Sequence, residues 1–495
     1  MSLKKETIKG TFWSSIEKFS LLGIQFILQI VLARLLTPAD YGIIGILAVF
    51  IAISNAFIDS GFTSALIQKK DRTKTDFSTA FYFNLIISLA CYIILYFCAP
   101  YIANFYQLPI LTSVTRALAI ALIFMALSAV NRTILQIKLD FKTQAKASLS
   151  SVILSGIIGI YLAYKGFGVW ALVLQQVSNS FFNMLLLFAL VRWKPLFVFS
   201  LISFKSMFSY GVKILISHLL DNIYFHIRPL IIGKLFSMSI LGLYSRAHQF
   251  SSLPTNLSNT IFGRVAFPLF SKVQDDFEQL FNVYCRFLKI VNGMYIPLIL
   301  LLCAVSKQVI IIVLGYKWID SVILLRILSL AFVFDTFSSI NAKLLLAKGY
   351  SNVTLQLNFI KKIIALTILI ISIPFGIIAI CWGSVVYGII AGFLGMFFVK
   401  KIFKIGLKIQ LWDIIPIFLV SGISALLAYI TTLQFTNVYV QFIFALLIFL
   451  ITYTFFAYKL QFDIWKEIIS FYNQTKIWNI LSKKFFNNLY RRSKK

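Results

Sequence analysis

The sequence predicts an all-α polytopic membrane protein with about fourteen transmembrane helices. Apolar segments of 18 or more residues recur along the whole 495-residue chain, and each is long enough to cross a hydrocarbon core of roughly 30 Å. Hydrophobic residues make up 60% of the chain and charged residues 13%, where soluble domains run nearer half and a quarter. The apolar runs are continuous rather than alternating, which favours helices over a barrel.

The first span, 12–35, follows a basic start, "MSLKKETIKG", with Lys4, Lys5 and Lys9. No small-residue cleavage site follows it and it exceeds a signal-peptide core, so it reads as a retained span. The next spans are 40–67, 77–100, 110–136, 147–164, 168–191 and 206–233. Then come 239–269, 284–304, 320–345, 351–373, 377–399, 412–430 and 437–458. The piece "VIIIVLG" (Val309 to Gly315) is too short to cross and suits the interface. After Lys459 the chain mixes Trp465, Ile468, Phe471, Trp478 and Leu481 with Lys and Asn, the pattern of a surface amphipathic segment.

The formal charge is +30. Fourteen spans sort the loops, with adjoining helix ends, onto two sides; one side carries 32 Lys and Arg, the other five. The positive-inside rule then puts both termini in the cytoplasm. The charge is accounted for by topology and by contact with anionic lipids, so no nucleic-acid partner is implied. The five cysteines lie in or beside apolar segments with no ligand spacing, so neither a metal nor a cofactor is expected.

A short hinge is written twice. "ARLLTPADYGI" (Ala33 to Ile43) lies between spans one and two, and "GKLFSMSILGL" (Gly233 to Leu243) between spans seven and eight. Both fall on the side poor in cations. The offset implies two parallel six-helix halves, the arrangement of transporters that rock around a central site. The expected domains are an N-lobe (1–200), a C-lobe (201–405), two further helices (406–460) and a basic tail (461–495).

The hinge opens a wider resemblance. "LARLLTPADYGIIGI", "GFTSALIQKKDRTKTDFSTAFYFNL", "GFGVWALVLQQ", "RPLIIGKLFSMSILGLYSRA", "VAFPLFSKVQDD", "LGYKWIDSVILLRILSL" and "LLLAKGYS" occur in order over nearly all of residues 1–460. Together they resemble the oligosaccharide flippases of the polysaccharide transporter family (Wzx-like), in the multidrug/oligosaccharidyl-lipid/polysaccharide superfamily. The resemblance implies two pseudo-symmetric six-helix lobes around a central cavity. It implies transport of undecaprenyl-diphosphate-linked oligosaccharide from the inner to the outer leaflet of the bacterial cytoplasmic membrane. A polysaccharide polymerase and chain-length proteins are the implied partners.

Ionisable groups inside spans cost roughly 2.5–3.5 kcal/mol on insertion scales, so they face protein or water. On span seven, Lys213, Ser217, Asp221, Tyr224 and Arg228 fall within roughly 80° at about 100° per residue, with His218 at the border. Two cations on one membrane face suit a cavity wall holding a diphosphate; local neutralisation by Asp221 is the alternative. Arg246 of span eight and Lys361 of span eleven are either cavity ligands or interfacial cations. Gln25 of span one, and Gln176 and Asn179 of span six, suit sugar hydroxyls or helix packing equally. The carboxylates Asp335, Glu17 and Asp59 are candidates for proton or sodium coupling. Glu17 sits beside Lys18 and Asp59 near a basic helix end, which also allows simple pairing, whereas Asp335 has no basic neighbour along its own helix. Arg116 and Arg326 lie near outward helix ends as interfacial cations.

An enzyme is disfavoured. The outward loops are short and nearly free of Asp and Glu, with no paired acidic motif and no His/Cys cluster, unlike a membrane glycosyltransferase or polymerase. A drug or cation exporter favours a carboxylate-lined cavity, whereas the intramembrane charge here is net basic. A peptidoglycan-precursor flippase is the nearest mechanistic alternative.

Overall fold

The computed structural model describes residues 3–59, 61–69, 71–412, 414–460 and 462. Among them the chain forms eighteen α-helices and no strand. They are α1 (Leu3–Leu35), α2 (Pro38–Asp59), α3 (Phe62–Gln68), α4 (Lys74–Tyr106), α5 (Ile110–Ile137), α6 (Phe141–Tyr164), α7 (Val169–Val191), α8 (Leu201–Leu235) and α9 (Met238–Lys272). There follow α10 (Phe277–Ala304), α11 (Ser306–Val313), α12 (Ser321–Phe332), α13 (Asp335–Ala347), α14 (Ser351–Ser372), α15 (Ile377–Phe403), α16 (Leu407–Trp412), α17 (Ile415–Thr432) and α18 (Val438–Lys459). Each expected span coincides with a helix or a broken pair of helices. Twelve helical segments among the described residues are long and apolar enough to cross a membrane. The other two of the expected fourteen fall on α8 and α9, 35 residues each, which are not among those twelve. The amphipathic tail expected after residue 461 lies outside the described residues, apart from Phe462.

Two expected spans are interrupted. The second is α2 plus α3, joined through Gly61 at φ 72°, a left-handed conformation that favours glycine. A Cβ there would lie 2.5 Å from the Cα of Gly211, so α3 and α8 meet backbone to backbone. The tenth is α12 plus α13, broken at Val333–Phe334.

The chain divides into two compact units, Met1–Ser245 and Arg246–Lys495. In the first, α1 packs on α6, α6 on α7, α5 on α4 and α7, and α8 on α2, α3 and α4. Small residues permit these approaches: a Cβ on Gly156 would lie 2.5 Å from a methyl of Leu28. An aromatic cluster fills the junction of α3, α4 and α8, with Phe62 and Phe83 stacked at 4.3 Å and Phe204 beside both. In the second unit, α10 packs on α12 and α17, α15 on α12, α13 and α14, and α17 on α18. Its core centres on buried Tyr284, whose hydroxyl donates to Asn341 Oδ1 at 2.6 Å and lies 3.0 Å from Gln410 Oε1.

Both hinges fall within the first unit. Thr37 caps α2: Asp40 N donates to its hydroxyl oxygen at 3.4 Å, and the Thr37 hydroxyl and N–H donate back to Asp40 Oδ2 at 2.7 and 2.9 Å. Ser237 stands at the matching position before α9 and accepts from Ile240 N at 3.3 Å. Such caps satisfy the free N–H groups of a helix start. The hinges touch reciprocally. A Cβ on Gly42 would lie 1.9 Å from the carbonyl oxygen of Met238, and one on Gly242 would lie 1.8 Å from that of Pro38. Lys234 is fastened to the end of α4, its ammonium donating to the Phe105 carbonyl and lying 4.2 Å from that ring's centre.

Candidate functional site

Each unit holds a buried polar centre built around one acid. In the first unit it is Glu17 of α1, 7% exposed. Gln144 Nε2 donates to its two oxygens at 3.2 and 3.4 Å, and Ser148 Oγ donates at 3.3 Å. Both partners come from α6, because α1 lies along that helix. Arg132 of α5 is close enough to act electrostatically on the carboxylate. Arg132 Nη2 donates to Asn183 Oδ1 at 3.2 Å, and Asn183 Nδ2 donates to Ser151 Oγ at 3.3 Å. Four helices are thereby joined by one polar chain. The expected pairing of Glu17 with Lys18 is corrected: Lys18 is exposed, and the carboxylate turns toward α6. Nothing in the linear sequence linked Arg132 to Glu17, since the two are 115 positions apart.

In the second unit the centre is Asp335, the first residue of α13. The helix break explains how a carboxylate is tolerated at mid-span. The N-terminus of a helix carries partial positive charge and unsatisfied N–H groups, and an acid in the first turn complements both. A break inside a membrane also frees backbone carbonyls, which need other partners. Tyr295 of α10 meets this need by donating to the Phe332 carbonyl at 2.7 Å, with the Thr255 hydroxyl 2.7 Å from its own oxygen. Asn292, one turn earlier on α10, accepts from Thr336 Oγ1 at 2.6 Å. From the other side, α15 approaches through glycines. A Cβ on Gly388 would lie 2.2 Å from the Ala331 carbonyl oxygen, and one on Gly392 would lie 2.9 Å from Phe334 Cβ.

Asn259 of α9 lies close enough to Asp335 to act on its carboxylate, as does the charge of Lys361 of α14. Asn259 Oδ1 in turn accepts from Ser339 Oγ at 2.8 Å. Lys361 is 6% exposed, and its ammonium donates to Ser338 Oγ at 2.5 Å. The basic partner absent from Asp335's own helix is thus supplied by a different one. The adjoining Lys362 is only half-buried, as expected for neighbours about 100° apart. Asn259 and Ser339 also line a cleft between α9, α10 and α13 that includes Ser258, Gly263 and Lys343. Lys343 reaches over Gly263, where a Cβ would lie 2.4 Å from its ammonium.

Arg228 is half-buried on α8. The side chains of Lys213, His218 and Asp221, and that of Asp59, lie outside the described residues. Arg246 donates to Gln249 Oε1 on its own helix. Gln25 is exposed, away from the Glu17 network. Gln176 and Asn179 are half-buried, and Asn179 Oδ1 has no hydrogen-bond partner among the described residues. Arg116 lies 4.1 Å from the ring centre of Tyr96, and Arg326 donates to Ser306 Oγ at 2.8 Å, so both are fastened at helix ends.

Residues 31–323, more than half of the chain, match the model of a family described as polysaccharide biosynthesis protein. The chain belongs to that family. Curated relatives extend the match. Teichuronic acid biosynthesis protein TuaB of Bacillus subtilis (strain 168) is 27% identical over 86% of this chain and 89% of its own length. Lipopolysaccharide biosynthesis protein WzxC of Escherichia coli (strain K12) is 24% identical over 81% and 82%. Succinoglycan biosynthesis transport protein ExoT of Rhizobium meliloti (strain 1021) is 25% identical over 63% and 64%. Among solved structures, lipid II flippase MurJ in an inward closed conformation superposes with a TM-score of 0.73 at 18% identity, covering 90% of this chain and 99% of that one. An inward-facing multidrug resistance MATE family transporter of the MOP superfamily gives 0.60 at 15%, over 77% and 95%. This family member therefore has the fold of MOP-superfamily transporters. It is a multi-pass membrane protein, and its relatives include a named transport protein rather than named enzymes.

Proposed function

We propose that the protein is a flippase that moves a polyprenyl-diphosphate-linked oligosaccharide from the inner to the outer leaflet of a bacterial cytoplasmic membrane. The observation that carries this reading is membership of a polysaccharide biosynthesis family on a transporter fold. The cations set into the membrane helices support an anionic cargo. Lys213 and Arg228 of α8 neutralise the diphosphate in transit, and Arg246 and Lys361 serve the same purpose. Gln25, His218, Asp221, Gln176 and Asn179 contact the glycan or order those cations. The polyprenyl chain stays in lipid while the head group crosses by alternating access. Both termini are cytoplasmic, as the 32-to-5 division of basic residues supports. The product is handed to a polymerase and chain-length proteins.

Asp335 is the proposed coupling acid, because it faces a cation and neutral hydrogen-bonding groups at a helix break that can rearrange. Glu17 serves as a brace within its own unit, and Asp59 remains a candidate beside it. A net basic membrane interior disfavours the drug-exporter reading.

The reading is tested in cells by replacing Lys213, Arg228 and Arg246 with Gln together. The expected result is loss of surface polysaccharide with normal amounts of the protein in the membrane. Unimpaired export by that variant contradicts the role given to these cations.

A further inference from the structure

Between α7 and α8 the chain runs as an extended segment, residues 192–200, rather than as helix. Two hydrogen bonds fix it to the start of α4: Leu196 N donates to Ser78 Oγ at 2.9 Å, and Ser200 N donates to Thr79 Oγ1 at 3.1 Å. Both acceptors are fully buried. The start of α4 is itself locked by a capping box from Thr73 to Asp76 and by a 2.7 Å ion pair between Lys69 and Asp76. Trp193 packs edge-on against Phe81, with ring centres 5.8 Å apart. Between the two pins, Val198 N donates to the Leu196 carbonyl at 2.7 Å and closes a tight turn.

The pinned turn holds its apolar side chains away from the protein. Phe197 is 98% exposed, and on the first turn of α8 Leu201 is 67% and Ile202 85% exposed. Around them stand exposed Arg192, Lys194, Lys205 and Lys74. Apolar side chains set beside cations are the pattern of a segment that lies in a membrane interface. The occupant follows from position and charge. The segment joins two long helices at their ends, at the same end as the start of α4, so it sits at membrane-surface depth. Its rim of cations complements an anionic lipid surface.

We propose that this turn is an interfacial membrane anchor. Phe197, Leu201 and Ile202 sit at the boundary between head groups and acyl chains of an anionic leaflet, and Arg192, Lys194 and Lys205 contact lipid phosphates. The anchor fixes the depth of the connection between α7 and α8, while hydrogen bonds to α4 keep it from retracting.

The test places p-fluorophenylalanine at position 197 of the full-length chain in vesicles of phosphatidylethanolamine and phosphatidylglycerol. Fluorine relaxation is measured with dissolved oxygen, which concentrates in lipid, and with an aqueous nickel chelate. The proposal expects strong relaxation by oxygen and loss of relaxation by nickel. It expects a shift toward nickel when phosphatidylcholine replaces both lipids. Strong nickel relaxation in the anionic vesicles places the turn in water and overturns the proposal. Insensitivity to both probes means that protein covers the turn, from a partner or a second copy, and overturns it equally. Identical behaviour in the two lipid compositions removes the role of the cations. Fluorine at position 202, in fluorinated isoleucine, provides a second reading of the same outcomes.

Discussion

Gly42 lies so close to Met238 that a Cβ would sit 1.9 Å from the Met238 carbonyl oxygen, and Gly242 stands in the same relation to Pro38, at 1.8 Å. Each hinge therefore presents its glycine to the first helical residue of the other. Gly42→Ala and Gly242→Ala each force the hinge backbones apart. An overpacked contact of this kind costs about 1–3 kcal/mol. Thermal unfolding of the purified protein in detergent is expected to show a clear fall in Tm for each. Gly23→Ala is the control: no atom lies within 4 Å of a Cβ there, and helical Gly to Ala stabilises by roughly 0.5–1 kcal/mol. Equal Tm for all three variants contradicts the hinge contact.

The helix break before Asp335 depends on Tyr295. Tyr295→Phe leaves the Phe332 carbonyl without its donor, at a cost of about 1–3 kcal/mol for a buried unsatisfied group. The expected outcome is a lower Tm and faster amide exchange at the start of α13. Unchanged exchange shows that the break is held by other contacts.

Much of this architecture was legible in the sequence, and the exceptions have physical causes. The spans emerge from long apolar runs because lipid tolerates little else. The repeated hinge was visible, but its self-contact was not, since sequence places Gly42 and Gly242 without saying what each one touches. The break at Val333–Phe334 carries neither Pro nor Gly in "LAFVFDTF"; it is set by Tyr295 and by the glycines of α15. Along the sequence Glu17 has Lys18 as its basic neighbour, whereas its partners lie more than a hundred residues away, where helix packing decides. In the sequence Asp335 and Lys361 stand as separate intramembrane charges, and the fold brings them into one network.

Glu17→Leu strands Gln144 and Ser148 and removes the carboxylate near Arg132, with an expected loss of about 1–3 kcal/mol. Glu17→Gln keeps a side chain of the same shape and is expected to lose less. Tm values of the two variants decide this; a Leu variant as stable as the wild type shows that the network adds nothing.

Asp335 and Lys361 are expected to be energetically coupled. In a cycle of Asp335→Asn, Lys361→Met and the double variant, interacting neighbours show coupling of roughly 0.5–3 kcal/mol. Chemical denaturation measures it. Strict additivity separates the two residues and leaves Lys361 serving Ser338 alone.

Asp335→Asn is also expected to abolish the response of transport to an imposed proton or sodium gradient in proteoliposomes. A full response in that variant removes Asp335 from coupling.

The central claim is transbilayer movement of a lipid-linked glycan. The direct measurement reconstitutes the purified protein into vesicles carrying fluorescent polyprenyl-diphosphate oligosaccharide and follows its accessibility, over time, to a membrane-impermeant glycosidase outside. The account predicts that more than half of the lipid becomes accessible with the wild-type protein, as the inner-leaflet pool is brought out. It predicts that only the outer-leaflet half does so with the Lys213, Arg228 and Arg246 to Gln variant or with empty vesicles. Accessibility limited to the outer-leaflet half with the wild-type protein, under any ion gradient, contradicts it.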